Sequence, residues 1–308
     1  MDVTQKLKLI KTLSGFSQEQ LARELNVSFP TLNSWINGKS KPHKDKIKRI
    51  NKLYGQWTGQ KEAFASPLLA KKEIIEFKRK RYKNILDFIH NRADLRDQFI
   101  LSLTYNTNRI EGSTLTEPET AAILFQNTAL PNKTLVEQME AKNHQAALTY
   151  LFQSLAKDAK INESLILKLH SILFNGIQTD AGEYRQHGVR IVGVNVPTAN
   201  YMKVPSLIKE IISDIAVKKD DVIGRVSQIH SRFEQIHPFS DGNGRIGRLL
   251  IQAMLLRKNY PPAVIKQEKK RFYMTYLNKS QLKNDFAELK EFVCDAVLEG
   301  YRIIEKGR

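Results

Sequence analysis

Apolar residues recur at three- and four-residue intervals along most of the chain, which is the helical period, and only one stretch has strand character. Leu7, Leu9, Ile10 and Leu13 predict an opening helix that Ser14-Gly15-Phe16 ends. Ser17-Gln18-Glu19-Gln20 has the form of a capping box, with Ser17 as N-cap and Gln20 at the third helical position. Leu21, Ala22 and Leu25 then share one face of a short helix. Beyond Asn26-Val27-Ser28 a second short helix turns Leu32, Trp35 and Ile36 inward and leaves Thr31, Asn33 and Ser34 more exposed, with Gly38 supplying the left-handed turn that closes it. Ser66-Pro67 opens a segment rich in Leu, Ile, Lys and Glu that reads as helix through about His90. Phe99, Ile100, Leu103 and Ile110 predict a helix that Gly112 ends. Two further helices, around 229–236 and from Leu249 to Leu256, flank a polar loop. The strand-like stretch is Gly182-Glu183-Tyr184-Arg185 followed by Val189-Arg190-Ile191-Val192-Gly193-Val194-Asn195-Val196-Pro197, which predicts a small β-hairpin. The pattern predicts a mainly α protein.

A length of 308 residues suggests two domains. The pattern divides into a small helical domain at 1–55, a helical linker at 56–95 and a main domain at 96–308. At 41% hydrophobic the chain has enough apolar side chains for a sizeable core, which excludes global disorder. One cysteine, Cys294, excludes an internal disulfide framework and a multi-cysteine zinc site. No apolar run approaches the roughly 18 residues of a membrane span. The first residues, Met-Asp-Val-Thr-Gln-Lys, hold no apolar signal core. Together these place the protein in the cytoplasm if it is bacterial, and in the cytosol or nucleus otherwise.

The formal net charge is +17, unevenly spread: residues 1–60 carry 11 basic and 4 acidic side chains, and residues 61–100 carry 10 and 6. Such an excess attracts phosphate backbones or acidic surfaces. The run Lys78-Arg79-Lys80-Arg81-Tyr82-Lys83 reads as a solvated helix face. The two short N-terminal helices, joined by about three residues, have helix-turn-helix geometry. The stretch SQEQLARELNVSFPTLNSWINGKSKP resembles the helix-turn-helix domain of phage-repressor-type regulators. That resemblance implies DNA as a partner, with Ser28, Phe29, Thr31, Asn33 and Lys39 near the major groove or the phosphates. The alternative is a helical interaction module without a DNA target.

The chemistry concentrates in His237-Pro238-Phe239-Ser240-Asp241-Gly242-Asn243-Gly244-Arg245-Ile246-Gly247-Arg248, a loop running into the start of a helix. Gly242 and Gly244 let the backbone turn and approach a ligand, and successive N–H groups at a helix N-terminus make an anion nest. Asn243 can fix the loop or add a hydrogen bond. Arg245 and Arg248, three apart on one helical face, reach a polyphosphate at two depths. Asp241 offers an oxygen ligand suited to Mg²⁺. His237 has the pKa range of a general base. His230, Glu234 and His237 have spacings that suggest a metal, but the protease order His-Glu-x-x-His is absent, and His230 reads as a buried, hydrogen-bonded helix residue. No nucleophile elbow or Walker loop is present.

This stretch resembles in full the signature HPF-x-D/E-GNGR-xx-R of the Fic (fido) family. The resemblance implies a Fic-type helical core with a short β-hairpin flap. It also implies transfer of AMP from MgATP to a Ser, Thr or Tyr hydroxyl of a protein target. His237 would deprotonate the target, Asp241 hold Mg²⁺, Gly242, Asn243 and Gly244 cradle the α-phosphate region, and Arg245 and Arg248 take the outer phosphates. Glycine at 244 is similar to the adenylylating branch, whereas the kinase branch carries lysine there. Ile191, Val192, Gly193 and Val194 correspond to the flap that docks the target by adding a strand to its edge. Tyr273, in Arg271-Phe272-Tyr273-Met274-Thr275-Tyr276-Leu277, would stack on adenine or pack in the core.

Thr107-Asn108-Arg109-Ile110-Glu111-Gly112 places Glu111 at the negative end of a helix dipole, an unfavourable position unless a cation lies opposite. The segment resembles the family's inhibitory pattern S/T-xxx-E-G/N, within a helix near 97–112. It implies that Glu111 pairs with Arg248 and takes it away from the γ-phosphate. In some members the same glutamate orients a water that removes AMP, so de-AMPylation belongs to the same expectation. The sequence reading is a self-inhibited protein adenylyltransferase behind a helix-turn-helix. The alternative is a DNA-binding transcriptional regulator whose Fic core senses nucleotide. Proteins of this resemblance are commonly homodimers.

Overall fold

A computed structural model of the chain describes residues 1–59, 66–191, 194–217 and 221–306. It divides into two compact units, Met1–Arg81 and Tyr82–Arg308.

In the first unit, α1 (Val3–Ser14) begins at a capping box between Asp2 and Gln5 and ends at Gly15, whose φ is 71°. The box expected at Ser17 and Gln20 opens α2 (Gln18–Leu25), which Asn26 ends in the left-handed region. Ser28 caps α3 (Phe29–Ile36), and Gly38, at φ 71°, turns the chain beyond it. Leu7, Ile10, Leu21, Leu25 and Leu32 are wholly buried, and α4 (Lys44–Thr58) adds Ile50 and Tyr54 to their core. The helix expected to run from Pro67 through about His90 is interrupted. α5 (Pro67–Arg79) belongs to the first unit, and α6 (Ile85–His90) starts afresh at an Asn84 cap in the second. Between them Tyr82 is buried, its ring against Tyr301 and its carbonyl accepting from Asn259 Nδ2 at 2.8 Å.

The second unit contains α7 (Ala93–Glu111), α8 (Glu117–Gln126), α9 (Leu135–Ala156), α10 (Glu163–Leu173), α11 (Val204–Ala216), α12 (Val222–Ile236), α13 (Asn243–Arg257), α14 (Lys270–Lys283) and α15 (Ala287–Lys306). α13 is its centre. It packs against α7, α9, α10 and α12, and Arg245 through Leu256 are all buried. A helix covered all round shows no apolar stripe, so its polar positions 243, 245 and 248 are interior by placement rather than by hydropathy. The fold holds polar chemistry inside a helical core.

The expected β-hairpin flap is not formed: among the described residues there is no strand. Ile191 and Val194 lie in chain without ladder pairing, and Val192 and Gly193 fall outside the described residues. Side chains hold the segment instead. Arg185, 2% exposed, donates from Nη1 to the His187 carbonyl at 2.6 Å and from Nη2 to the Ala199 carbonyl at 2.5 Å. Thr198 Oγ1 donates to the Val189 carbonyl at 2.7 Å and ties the two arms together. Two strands with no third sheet partner are marginal in water, and β-branched composition alone does not make a ladder.

Candidate active site

α12 ends where His237 enters the left-handed region at φ 54°, and α13 begins at Gly242, φ 77°. The loop between them is braced from within. Asn243 Oδ1 accepts from the Phe239 N–H at 2.8 Å, and its Nδ2 donates back to the Phe239 carbonyl at 2.9 Å. Phe239 is fully buried, its ring 3.8 Å from that of His170 and nearly parallel to it. His170 Nδ1 accepts from the Gly182 N–H at 2.8 Å, so its Nε2 carries the proton donated to the Asp241 carbonyl at 3.2 Å. Burial pushes the His170 pKa down to about 4, which keeps that tautomer neutral. Ser240 Oγ donates to Asp180 Oδ2 at 2.7 Å.

His237 makes a bond that fixes its tautomer. Its Nδ1 lies 3.1 Å from the Glu234 carbonyl oxygen, which only accepts, so Nδ1 bears the proton and Nε2 keeps the lone pair. Burial, the largest influence, holds the imidazole below its ordinary pKa, while the bond to the Glu234 carbonyl works in the opposite direction. The ring is therefore a neutral base at pH 7. Arg185 Nε donates to the His237 carbonyl at 2.7 Å and Nη2 to the Ile236 carbonyl at 3.3 Å. One guanidinium thus ties the 187–199 segment to the backbone that carries the base.

The start of α13 has no side-chain cap, so N–H groups of its first turn face no protein acceptor. Arg245, buried, spans Glu140 Oε1 of α9 at 2.6 Å and Asp241 Oδ2 at 3.4 Å, with Phe174 4.6 Å below its guanidinium plane. Its Nε is buried without an acceptor. An uncapped helix start and an orphaned guanidinium N–H are donors of the kind that suit an oxyanion. Asp241 is exposed, one oxygen taking the Gly242 N–H at 2.6 Å and the other 3.4 Å from Gln178 Nε2. Among the described residues no three His, Cys, Asp or Glu side chains cluster as metal ligands. A magnesium ion held by one carboxylate and by substrate phosphates needs no such cluster, so the donor set fits.

Arg248, 4% exposed, donates from Nη2 to Glu111 Oε1 and from Nε to Thr107 Oγ1 at 3.1 Å. Thr107 and Glu111 are four apart on α7, so one helical face presents a hydroxyl and a carboxylate to one guanidinium. Burial alone would raise the Glu111 pKa, but the charge and hydrogen bond of Arg248 hold it below the usual carboxylate value.

Residues 160–255 match the Fic/DOC family, and residues 7–56 match a helix-turn-helix family. The segment 160–255 is thus similar to a Fic/DOC domain. Over 184 residues, 57% of this chain, it is 34% identical to the protein adenylyltransferase Fic of Nematostella vectensis, 42% of which it covers. Over 208 residues, 66% of this chain, it is 31% identical to the protein adenylyltransferase fic-1 of Caenorhabditis elegans, 40% of which it covers. The chain thus spans about two fifths of the length of the curated relatives it matches. A Fic-domain-containing signaling protein from Bacteroides thetaiotaomicron has a similar fold, with a TM-score of 0.65 at 25% identity, covering 77% of this chain and 98% of that one.

The fold brings His237, Asp241, Gly242, Asn243, Gly244, Arg245, Arg248 and, from α7, Glu111 together around the start of α13. Asn243 turns its amide to the Phe239 backbone, so its side chain braces the loop. Tyr273 is 2% exposed, its ring 5.8 Å from that of His230 and 5.7 Å from that of Phe292, and its hydroxyl is 2.6 Å from His230 Nε2. It fills the core. Glu140, His170, Phe174 and Arg185 are parts of the site that sequence reading did not assign. Arg185 lies inside the strand-like stretch, but Glu140 sits 105 residues from its partner with no local signal.

In the helix-turn-helix unit, Ser28 Oγ caps α3 through the Thr31 N–H at 3.4 Å and meets Thr31 Oγ1 at 2.8 Å. Asn33 Oδ1 accepts from Asn37 Nδ2 at 2.9 Å. Phe29, 42% exposed, and Lys39 stand at the surface. Ser28, Thr31 and Asn33 are thus engaged locally.

Proposed function

We propose that this chain is a protein adenylyltransferase held off by its own Glu111. It transfers AMP from MgATP to a Ser, Thr or Tyr hydroxyl of a protein target. The observation that carries this reading is His237: Nδ1 is committed to the Glu234 carbonyl and Nε2 is left as a base, beside a helix start with no cap. Nε2 takes the proton of the target hydroxyl. The oxygen attacks the α-phosphorus, the bond from that phosphorus to the pyrophosphate oxygen breaks, and pyrophosphate leaves. Gly242, Asn243 and Gly244 cradle the α-phosphate region, while Arg245 and Arg248 neutralise the outer phosphates. Asp241 would hold Mg²⁺, which supplies charge neutralisation of the phosphates.

In the structure Arg248 is not available to a γ-phosphate, because Glu111 and Thr107 hold it. The same carboxylate near the nest suits a water for the reverse removal of AMP, so de-AMPylation is part of the proposal. Residues 1–55 would bring the enzyme to DNA through their cationic surface. Among the described residues no helix is long and apolar enough to cross a membrane, and a cytoplasmic setting accords with that.

The test is incubation with labelled ATP and Mg²⁺. Glu111→Gly should raise labelling of the protein or a partner, and His237→Ala should abolish transfer while ATP still binds. Absence of labelling in Glu111→Gly, or retained transfer in His237→Ala, would overturn the reading.

A further inference from the structure

A second carboxylate stands beside Arg248. Glu234, on α12, is 7% exposed, and its Oε1 is buried without a hydrogen-bond partner. His230 Nδ1, equally buried and unpartnered, is 4.0 Å from that oxygen. Two glycines of α13 make room for the two carboxylates. A Cβ on Gly244 would stand 2.5 Å from Glu111 Oε1, and one on Gly247 would stand 2.3 Å from Glu234 Oε1. Positions 244 and 247 share a face of the helix, and Arg248 is one turn beyond the first and next to the second. Both carboxylates therefore lean on one helix, and the charge of Arg248 acts on both. In this structure Glu111 has the guanidinium and Glu234 does not.

A buried carboxylate without a partner does not stay ionised. Burial pushes Glu234 up to about 8, against the downward pull of Arg248 and with the upward push of the Glu111 charge. The ionisable groups around it come from every helix at the site. His230, on its own helix, is kept neutral by burial at about 3. Arg248 is on α13, Glu111 on α7, and Tyr273 on α14 has its hydroxyl at His230. α15 meets the cluster through Phe292, against Tyr273, and the acids of α11 that meet α12, Glu210 and Asp214, are paired with Arg232.

We propose that Glu234 is a positioning residue that competes with Glu111 for the Arg248 guanidinium, carrying a proton while Glu111 holds the arginine and losing it when Glu111 lets go. The proton passes to solvent, and the guanidinium exchanges one carboxylate for the other. No other bond is made or broken. The inhibited state, with the Glu111 charge adjacent, binds this proton more tightly than the released state. Raising the pH therefore favours release. The functional consequence rests on the adenylyltransferase reading above; the exchange itself does not.

The experiment uses the full chain and two readouts. In ¹³C-carboxyl NMR, the Glu234 signal is assigned by its loss in Glu234→Gln and titrated in the wild type and in Glu111→Gln. Its midpoint should fall by about one pH unit when Glu111 is neutralised, and an unchanged or higher midpoint overturns the proposal. With labelled ATP, wild-type transfer should rise about tenfold from pH 7 to 9. Glu234→Gln should flatten that rise, and Glu111→Gly should be flat over the same range. If Glu111→Gly labels and Glu234→Gln keeps the wild-type rise, the role of Glu234 fails and the adenylyltransferase reading stands. If Glu111→Gly never labels, that reading fails, and the NMR midpoint still decides whether the two carboxylates share the arginine.

Discussion

The Glu111 carboxylate lies so close over Gly244 that a Cβ there would stand 2.5 Å from Oε1 and 3.1 Å from Arg248 Nη1. Glycine at this position thus makes room for the ion pair. Gly244→Ala should push the carboxylate aside and weaken its hold on Arg248. Transfer should rise above wild type and stay below that of Glu111→Gly. The double variant should show no more transfer than Glu111→Gly alone, because both changes act on one contact. Initial rates of AMP incorporation check this.

Removing Glu111 takes the carboxylate partner from a 4% exposed guanidinium that Thr107 still holds. Breaking a buried pair costs about 3–5 kcal/mol; with Glu111 partly exposed, Glu111→Gly should cost about 1–3 kcal/mol. MgATP should restore more stability to the variant than it adds to the wild type, because phosphate replaces the lost carboxylate. Thermal unfolding with and without nucleotide measures both.

Gly242 is required twice. Its φ is 77°, and a Cβ would stand 2.1 Å from Phe174 Cε2. Gly242→Ala should destabilise the second unit by about 2–4 kcal/mol through strain and overpacking. Phe174→Leu in the same chain should recover part of that loss by removing the clash, as read in denaturant unfolding.

Arg185 donates to four backbone carbonyls, two of them at His237 and Ile236. Arg185→Lys keeps the charge and loses the planar fork. In the Glu111→Gly background transfer should fall about 10- to 100-fold while ATP affinity changes little, since the base is displaced and the phosphate nest is not. Calorimetric ATP binding beside transfer rates tests the split.

His237 acts only when neutral, and burial holds its pKa below 6.5. Transfer by Glu111→Gly should therefore stay level from pH 9 down to about 6.5 and fall only on further acidification. A fall that begins above pH 7 in that variant would remove the depressed His237 as the base. The pH–rate profile of Glu111→Gly decides.

Much of the site was legible because its chemistry is compressed into twelve consecutive residues at a helix start, where spacing alone sets which groups converge. Glu111 was legible for a similar local reason: a carboxylate at a helix C-terminus needs a cation. The capping boxes at Ser17 and the left-handed turn at Gly38 follow from bonds within a few residues of each other. The hairpin was misread because strand propensity in residues 189–197 says nothing of a partner strand. Arg185, whose bonds to carbonyls shape that segment, works across the fold. The interruption between Arg79 and Ile85 was missed because burial of Tyr82 depends on Tyr301 and Asn259, more than 170 residues away.

The order of residues by itself determined most of the helical elements, the glycine-rich turn into α13, the placing of His237, Arg245 and Arg248 around it, and the acid set opposite Arg248. These rest on contacts within about one helical turn. Only the tertiary structure decided that Glu140 braces Arg245, that Tyr273 lies in the core, and that Glu234 is buried without a partner against Gly247. Those depend on which helices surround α13, and a helix buried on every side leaves no periodic trace of its neighbours in its own sequence.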